Sequence, residues 1–208
     1  MTPLGFLIAR TLRHEASLAD MSLPRDALLA AFRGQDVALV GNARGLAEAH
    51  HGAAIDAAGM VIRINRAPMP QAASHGSRTD ALALATGIDA ATLARTSPRL
   101  TLWMSHKRKR LPWRIASAPG FYLHPQPAYR ALARALGAPP TTGLMMIDLL
   151  SHSQAAAVTL YGFDFFATQS LSGRRTATQV PHDFAAEAAF VTALLARDPR
   201  FTLRKHAR

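Results

Sequence analysis

The chain of 208 residues contains no cysteine, so it can form neither a disulfide framework nor a zinc site with thiolate ligands. Such a composition fits a reducing compartment. No run of residues approaches the roughly 20 apolar residues that a helix needs to cross a bilayer. The sequence also lacks Gly-x-Ser-x-Gly, Gly-Lys-Ser/Thr and Gly-x-Gly-x-x-Gly. These absences disfavour a hydrolase nucleophile elbow, a P-loop enzyme and a dinucleotide-dependent dehydrogenase.

Acidic residues are scarce, because 13 Asp and Glu stand against 24 Lys and Arg, which gives a formal net charge of +11. Such an excess indicates a polyanionic partner. The cations concentrate in the run 106–110, between Trp103 and Trp113, and in the tail 204–208. We interpret the run 106–110 first as a solvated loop and second as a contact for an anionic acceptor or membrane surface. A site for single-stranded nucleic acid is the interpretation that we disfavour.

Apolar side chains are interleaved with arginines in the first residues of the chain. The apolar members are Leu4, Phe6, Leu7, Ile8 and Leu12, and the cations are Arg10 and Arg13. This spacing predicts a short amphipathic helix. Its apolar part is too short for a signal peptide and no small-residue cleavage site follows it. We expect the helix to pack on the domain, and the alternative is that it lies on an anionic membrane surface.

Short apolar runs alternate with helical patterns along the rest of the chain. Strands are predicted at 37–41, 60–64, 81–85, 100–104, 121–123, 156–161 and 201–203. Helices are predicted at 44–50, with a stop at Gly52, and at 90–94, 127–136, 144–150 and 183–196. This alternation predicts an α/β fold with a Rossmann-like, mostly parallel sheet and helices on both faces. The length fits one domain, with a helical segment at 1–34 and a nucleotide-sugar-binding core at 35–208.

Two asparagines follow neighbouring predicted strands. The first strand stops at Gly41 and Asn42, and the second ends at Asn65 after about the length of one β-α-β unit. Gly41 lets the backbone turn sharply, and Asn42 offers an amide donor and a carbonyl acceptor. Open α/β sheets bind nucleotides at the carboxyl ends of their strands. The sequence therefore predicts a ligand site at this edge, although an asparagine after a strand, taken alone, is usually a turn residue.

Two further segments carry residues that can bind or react. Thr141, Thr142 and Gly143 begin a predicted helix, where hydroxyls and free N–H groups suit either an anion or an ordinary threonine cap. His182 precedes the last helix, and Glu187 lies in its first turns. An isolated histidine is most often a surface or capping residue, but an imidazole can also act as a general base near neutral pH.

Taken together, these segments resemble the sialyltransferase family, glycosyltransferase family 29. Residues 37–68 follow its large sialylmotif without a gap, 140–163 resembles its small sialylmotif, and His182 with Glu187 matches its H-x4-E motif. The resemblance implies that Asn42, Asn65 and Gly41 hold a cytidine monophosphate (CMP) sugar donor. It implies the same for Thr141, Thr142 and Gly143. His182 is then the candidate general base, and Glu187 orients its ring or stabilises the start of the helix.

Three departures from the family pattern stand out. Ala43 and Arg44 replace the usual Ser-Gly. The family's secreted members link the large and small motifs by a disulfide, whereas the corresponding positions here are Val37 and Ala155, so that apolar packing must replace it. The family's third short motif contains a histidine thought to help the phosphate leave, but no histidine lies between 164 and 181. Our hypothesis is that Arg174 or Arg175 neutralises the departing phosphate instead.

The resemblance implies a variant of the GT-A glycosyltransferase fold and inverting transfer of sialic acid from CMP-sialic acid to a hydroxyl of an acceptor glycan or glycolipid. No Asp-x-Asp motif or histidine cluster suggests a metal, and no cofactor is expected. One alternative is transfer of another CMP-activated keto-sugar acid, such as Kdo. A second is a non-catalytic, basic nucleotide- or RNA-binding module. We expect a cytoplasmic enzyme that works at the inner membrane face.

Overall fold

A seven-stranded parallel sheet forms the centre of the computed structural model, which describes residues 1–165 and 181–204. The strands are β1 (Asp36–Val40), β2 (Met60–Ile64), β3 (Ala81–Leu84), β4 (Leu100–Trp103), β5 (Phe121–Leu123), β6 (Ala157–Tyr161) and β7 (Phe201–Arg204). Their order across the sheet is β5-β4-β3-β2-β1-β6-β7, and all neighbours pair in parallel. The chain therefore builds outward from β1 in one direction and, after β5, returns to its other side with β6.

Helices connect the strands in the described part of the chain. They are α1 (Pro3–Leu12), α2 (Glu15–Ala19), α3 (Arg25–Ala31), α4 (Gly52–Ala57), α5 (Ala72–His75), α6 (Ala90–Thr96), α7 (Trp113–Ala116), α8 (Gln126–Leu136), α9 (Thr142–Ser151) and α10 (Phe184–Arg197). Two 3-10 helices cover Arg44–Glu48 and Arg108–Arg110. The α/β fold class with a Rossmann-like sheet, predicted from the sequence, is confirmed.

Alternate strand residues enter cores on opposite faces of the sheet. On one face, Leu39 and Ile62 pack in one cluster with residues of α3, α8, α9 and α10. On the other face, Ala38 and Val61 pack with Leu46 and Ile55, and strands β3 to β5 pack with residues of α1, α2 and α7. Both faces of the central strands are therefore buried, as parallel sheets require.

The connection between β1 and β2 differs from the sequence prediction. A 3-10 helix ends at Glu48, and Gly52, which we expected to stop a helix, instead begins α4. A side chain at position 52 would collide with the carbonyl oxygen of Ala72. Gly52 is therefore required by the close approach of α4 and α5. Helix α5 itself lies between the predicted strands 60–64 and 81–85, where the sequence pattern predicted neither a helix nor a strand.

The N-terminal segment, predicted to be helical over 1–34, contains three separate helices. Arg13 adopts a left-handed conformation (φ 56°) and ends α1, so that the chain turns into α2. Inside the sheet, Val37 and Ala155 are both buried in the same apolar cluster, which agrees with packing in place of a covalent link.

Candidate active site at the switch point of the sheet

The carboxyl ends of β1 and β6 lie side by side where the strand order reverses. Gly41 follows β1 and Gly162 follows β6; the N–H of Gly41 donates to Tyr161 O at 2.7 Å, and that of Ala43 donates to Gly162 O at 3.1 Å. A Cβ atom on Gly41 would collide with the carbonyl oxygen of Gly162. Glycine at position 41 is thus needed for the approach of the two strand ends. Ligands of open α/β sheets bind at such a reversal.

Asn42 joins the loop after β1 to the end of β2. Its side chain is buried, and Nδ2 donates to the carbonyl oxygen of Ile64 at 3.3 Å. Because Ile64 immediately precedes Asn65, the structure brings the two asparagines together, as the sequence predicted.

Asn65 in turn joins the end of β2 to the end of β3. It adopts the left-handed conformation (φ 53°), which asparagine tolerates better than most residues. Its Oδ1 accepts a hydrogen bond from the N–H of Ala85 at 3.0 Å. The carbonyl half of this side chain is therefore engaged with the backbone, and the amide NH2 is the half that suits a ligand.

Phe163 holds the ends of the two predicted motifs together. A Cβ atom built on Gly41 would lie 3.2 Å from Cε2 of Phe163, and one on Gly143 would lie 2.7 Å from Cε1. The half-buried ring therefore lies between the two glycines. The sequence motifs did not predict this role of Phe163. The only indication in the sequence was its position directly after Gly162. Gly143 is placed at the site by this contact.

The start of α9 is capped by Thr141 and clamped by α10. The Oγ1 atom of Thr141 accepts from Leu144 N at 3.1 Å, as an N-cap does, and Thr142 is buried beside it. The backbone N–H of Thr141 donates to Oε1 of Glu187 at 2.7 Å, and its hydroxyl lies 2.8 Å from Oε2. The carboxylate of Glu187 therefore contacts the start of α9.

Burial opposes the charged form of Glu187. Its side chain is only 3% exposed, and this desolvation raises its pKa to about 7, although the hydrogen bonds from Thr141 act in the other direction. The residue thus titrates close to neutral pH.

His182 is held by the segment that Glu187 also contacts. Its Nδ1 lies 2.7 Å from the carbonyl oxygen of Pro139. Because a carbonyl oxygen can only accept, Nδ1 must carry the hydrogen, and the neutral ring then presents Nε2 as its proton acceptor. Glu187 binds Thr141, two residues further along the chain, and so positions the carbonyl partner of the ring rather than the ring itself.

A buried arginine of β2 holds the loop that leads into the amino end of β3. Arg63, in β2, donates to the carbonyl oxygens of Arg78 (2.9 Å) and His75 (2.8 Å). Its desolvation lowers its pKa to about 10. Asp56 accepts from the N–H groups of Ser77 and Arg78 in the same loop. Arg63 and Asp56 thus fix the loop between α5 and β3.

Two predicted site residues, Arg174 and Arg175, lie outside the described residues. Within 1–165 and 181–204, no three histidine, aspartate or glutamate side chains come close enough together to hold a metal ion.

The chain is similar to known sialyltransferases in part of its sequence and in its fold. The model of glycosyltransferase family 29 (sialyltransferase) matches residues 21–100. A crystal structure of a mammalian sialyltransferase superimposes with a TM-score of 0.62 at 22% identity, over 84% of this chain and 70% of that one. The mammalian enzyme in complex with Gal-beta-1-3GalNAc-ortho-nitrophenol gives 0.60 at 21%, with the same coverage. The alpha-2,3/8-sialyltransferase CstII, a mutant form, gives 0.51 at 13%, over 80% and 79%. At these identities the likenesses show the fold, and no curated protein matches by sequence.

The raised pKa of Glu187 predicts a pH-dependent stability. A carboxyl whose pKa is about 7 when folded, against an ordinary 4.5, favours the folded state at low pH. This stability is lost as the pH rises through about 7, by up to about 3 kcal/mol. Glu187→Gln cannot ionise, so urea unfolding should show the mutant gaining on the wild type by up to this amount between about pH 4 and pH 8. The exposed Glu48→Gln is the matched control. Parallel wild-type and Glu187→Gln stability curves would contradict the prediction.

Proposed function

We propose that the chain is a member of glycosyltransferase family 29, the sialyltransferase family, whose model matches residues 21–100, and that it transfers sialic acid from CMP-sialic acid to a hydroxyl of an acceptor glycan. The observation that supports this most is that three separate motifs meet at one edge of the sheet. Asn42 and Asn65, the Phe163 contact with Gly41 and Gly143, and the Glu187 clamp on Thr141 all lie there. An α/β sheet offers its ligand site at this edge.

The donor is proposed to lie above the ends of β1 and β2. The amide NH2 of Asn65 and the buried amide of Asn42 can bind the nucleotide. The first N–H groups of α9, at Thr142 and Gly143, have no partner in their own helix, and with the helix dipole they favour an anionic group of the donor. Thr141, Thr142 and Gly143 are therefore assigned to donor binding in this proposal.

His182 is proposed to act as the general base. Nε2 takes the proton from the acceptor hydroxyl while the oxygen attacks the anomeric carbon of the sialic acid. The bond from that carbon to the phosphate oxygen breaks on the opposite face, CMP leaves, and the configuration inverts. Glu187 is a positioning residue, since it fixes the segment whose carbonyl holds the ring.

The departing phosphate needs compensation for its charge. Arg174 and Arg175 are our candidates, because a guanidinium can bind phosphate oxygens in two places without giving up a proton. No metal or other cofactor is needed in this proposal, since protein donors, helix dipole and cations supply the charge stabilisation. We place the reaction in the cytoplasm, because a chain without cysteine suits a reducing compartment.

Removal of the imidazole should slow turnover strongly without removing the donor site. His182→Ala is expected to lower kcat by about 100- to 10,000-fold, the range for a general base. CMP affinity should stay within about threefold, because the ring contacts the acceptor side in this mechanism. His152→Ala, an exposed histidine at the end of α9, is the matched control. Full activity of His182→Ala would overturn the mechanism.

Calorimetry with CMP tests the donor site directly. The chain should bind CMP in the presence of a chelator, and more tightly than UMP or AMP. Asn65→Asp keeps the acceptor for Ala85 but replaces the amide donor with an anionic oxygen. It should weaken CMP binding by about tenfold or more, because a donor is lost and a negative charge is added beside a phosphate, with little change in the thermal midpoint. No CMP binding by the wild type would refute the proposal.

A panel of activated donors then distinguishes CMP-sialic acid from CMP-Kdo, because the motifs address the nucleotide and leave the sugar unspecified. Turnover of CMP-Kdo alone would change the sugar but keep the mechanism. Salt-sensitive RNA binding without any turnover would instead favour a non-catalytic binding module.

The arginine hypothesis has its own test. Arg174→Ala or Arg175→Ala should lower kcat by about 100-fold with a smaller effect on the KM for donor, as expected when a group stabilises charge that develops in the transition state. The matching lysine variant should recover part of the rate. Unchanged turnover in both alanine variants would remove these arginines from the mechanism.

A further inference from the structure

The exposed large apolar side chains of the described residues are confined to the first twelve positions. They are Met1, Leu4, Leu7, Ile8 and Leu12, with exposures from 47% (Leu7) to 74% (Leu12). The rest of the described chain buries its large apolar groups at least partly. Such a concentration on one element marks an interaction surface rather than the ordinary scatter of exposed leucines.

These side chains form one face of α1. Leu4, Ile8 and Leu12 follow one another at intervals of four residues, and Leu7 lies beside them, so they share one side of the helix. Phe6 and Ala9 are on the opposite side and are buried. The helix is thus attached by one face and bare on the other. We call the bare face, formed by residues 4, 7, 8 and 12, the apolar row.

Specific contacts hold α1 in this orientation. The ring of Phe6 packs on that of Trp113 with centroids 5.3 Å apart. Arg10 donates from Nη1 to the carbonyl oxygen of Leu111 at 3.0 Å. The packing that the sequence predicted for this helix is therefore present, but it uses only half of the helix surface.

The surface beside α1 is strongly basic. Helix α1 packs against the 3-10 helix Arg108–Arg110 and against α7. Arg108 is buried and bound to Glu15 at 3.0 Å, so the interpretation of the whole basic run as a solvated loop is wrong at this position. Its exposed cationic neighbours are Lys107, Lys109, Arg110 and Arg114, and Arg13 follows at the end of α1.

We infer that the apolar row of α1 and the cations beside it form a docking surface for an anionic lipid bilayer. An interfacial helix places its apolar side among the acyl chains while neighbouring Lys and Arg bind anionic headgroups. A second copy of the chain would fit worse, because it would bring the same cations and a net charge of +11 against each other. No helix among the described residues is long and apolar enough to cross a membrane.

The position of this surface suits a membrane-bound acceptor, a point that rests on the proposed function. The segment that supports α1 leaves the carboxyl end of β4, and Asn42 and Asn65 lie at the carboxyl ends of β1 and β2. In a parallel sheet these ends share one edge. Because Phe6 and Ala9 of α1 also share a buried cluster with Ala67, two residues after Asn65, docking through α1 would hold this edge of the sheet close to the lipid, where the sugar of a glycolipid would project.

Vesicle co-sedimentation of the full chain tests the inference. The vesicles are phosphatidylcholine with and without phosphatidylglycerol, and binding is expected only when the anionic lipid is present. Two variants remove the two halves of the surface separately. The apolar variant carries Leu4→Gln, Ile8→Gln and Leu12→Gln. The cationic variant carries Lys109→Gln, Arg110→Gln and Arg114→Gln. The matched control carries Arg33→Gln, Arg130→Gln and Arg134→Gln, three exposed cations on α8 and next to α3, which pack on the other face of the sheet.

The apolar and cationic variants should each bind on the order of 100-fold more weakly than the wild type, while the control stays within about threefold. All replaced residues are exposed, so thermal midpoints and transfer to a soluble acceptor should be unchanged. Vesicle binding is measured without turnover, so its result does not depend on whether the chain transfers sialic acid.

Three results would overturn the inference. The first is that the wild type does not bind anionic vesicles. The second is that the control variant loses as much affinity as the cationic variant, which would show an effect of net charge alone. Sedimentation velocity could also show a wild-type dimer that the apolar variant converts to monomer, which would assign the apolar row to a second copy.

Discussion

The close approach of β1 and β6 at Gly41 and Gly162 is the constraint on which the site depends. Because position 41 has no side chain, the two strand ends can pack at backbone distance. The turn at Gly162 (φ 69°) then directs Phe163 between Gly41 and Gly143. A larger residue at 41 would separate the strands and withdraw the ring that brings the start of α9 to the end of β1. The strand order determines where a ligand can bind. Gly41 and Gly162 allow the end of β1 and the start of α9 to meet at that place.

Helix α10 adds a second constraint by holding the segment 139–141 at both ends. His182 donates to the carbonyl oxygen of Pro139, and Glu187 binds the N–H and hydroxyl of Thr141. The segment 139–141, between helices α8 and α9, is therefore fixed to α10 and to the candidate base just before it. Burial of Glu187 is costly for a carboxylate, and the two hydrogen bonds only partly offset it, as its raised pKa shows. A buried acid in this position is better explained by positioning than by stability.

The sequence predicted the strands well, because their apolar runs are short and bounded by glycine or polar residues. Strands β2 and β5 were predicted with their observed bounds, and the other five within one residue at each end. The predictions for individual residues were wrong where the conformation or burial of a residue depends on a partner far away in the sequence. Gly52 suggested a helix end, yet it faces Ala72. Arg108 stood in a basic run, yet it pairs with Glu15, 93 positions away. Local patterns carry no information about such partners.

For the site, the sequence predicted which residues meet but not how they are held. The spacing of two strands was sufficient to bring Asn42 and Asn65 together, because the carboxyl ends of parallel neighbours share an edge. It could not show that Ala85 engages one half of Asn65, since that bond depends on the path of the chain after β3. Nor could it show Glu187 bound to Thr141 rather than to the histidine five positions before it.

In this chain without cysteine, the pairing of β1 with β6 and the contacts at its two ends hold the motifs together. The ladder between β1 and β6 pairs five residues in register, from Asp36 with Ala157 to Val40 with Tyr161. Val37 and Ala155 are buried in one cluster at its start, and Gly41 with Phe163 closes its end. Residues 37–68 and the segment of His182 and Glu187 are thus joined through residues 140–163. Phe163 packs against Gly41 and Gly143, and Glu187 binds Thr141 at the start of α9. Each of these contacts orders residues of the site, whereas a covalent link at the amino ends of the strands would restrain only the distance between them. A chain without a disulfide can therefore still keep its motifs together, provided that Glu187 of α10 stays bound at the start of α9.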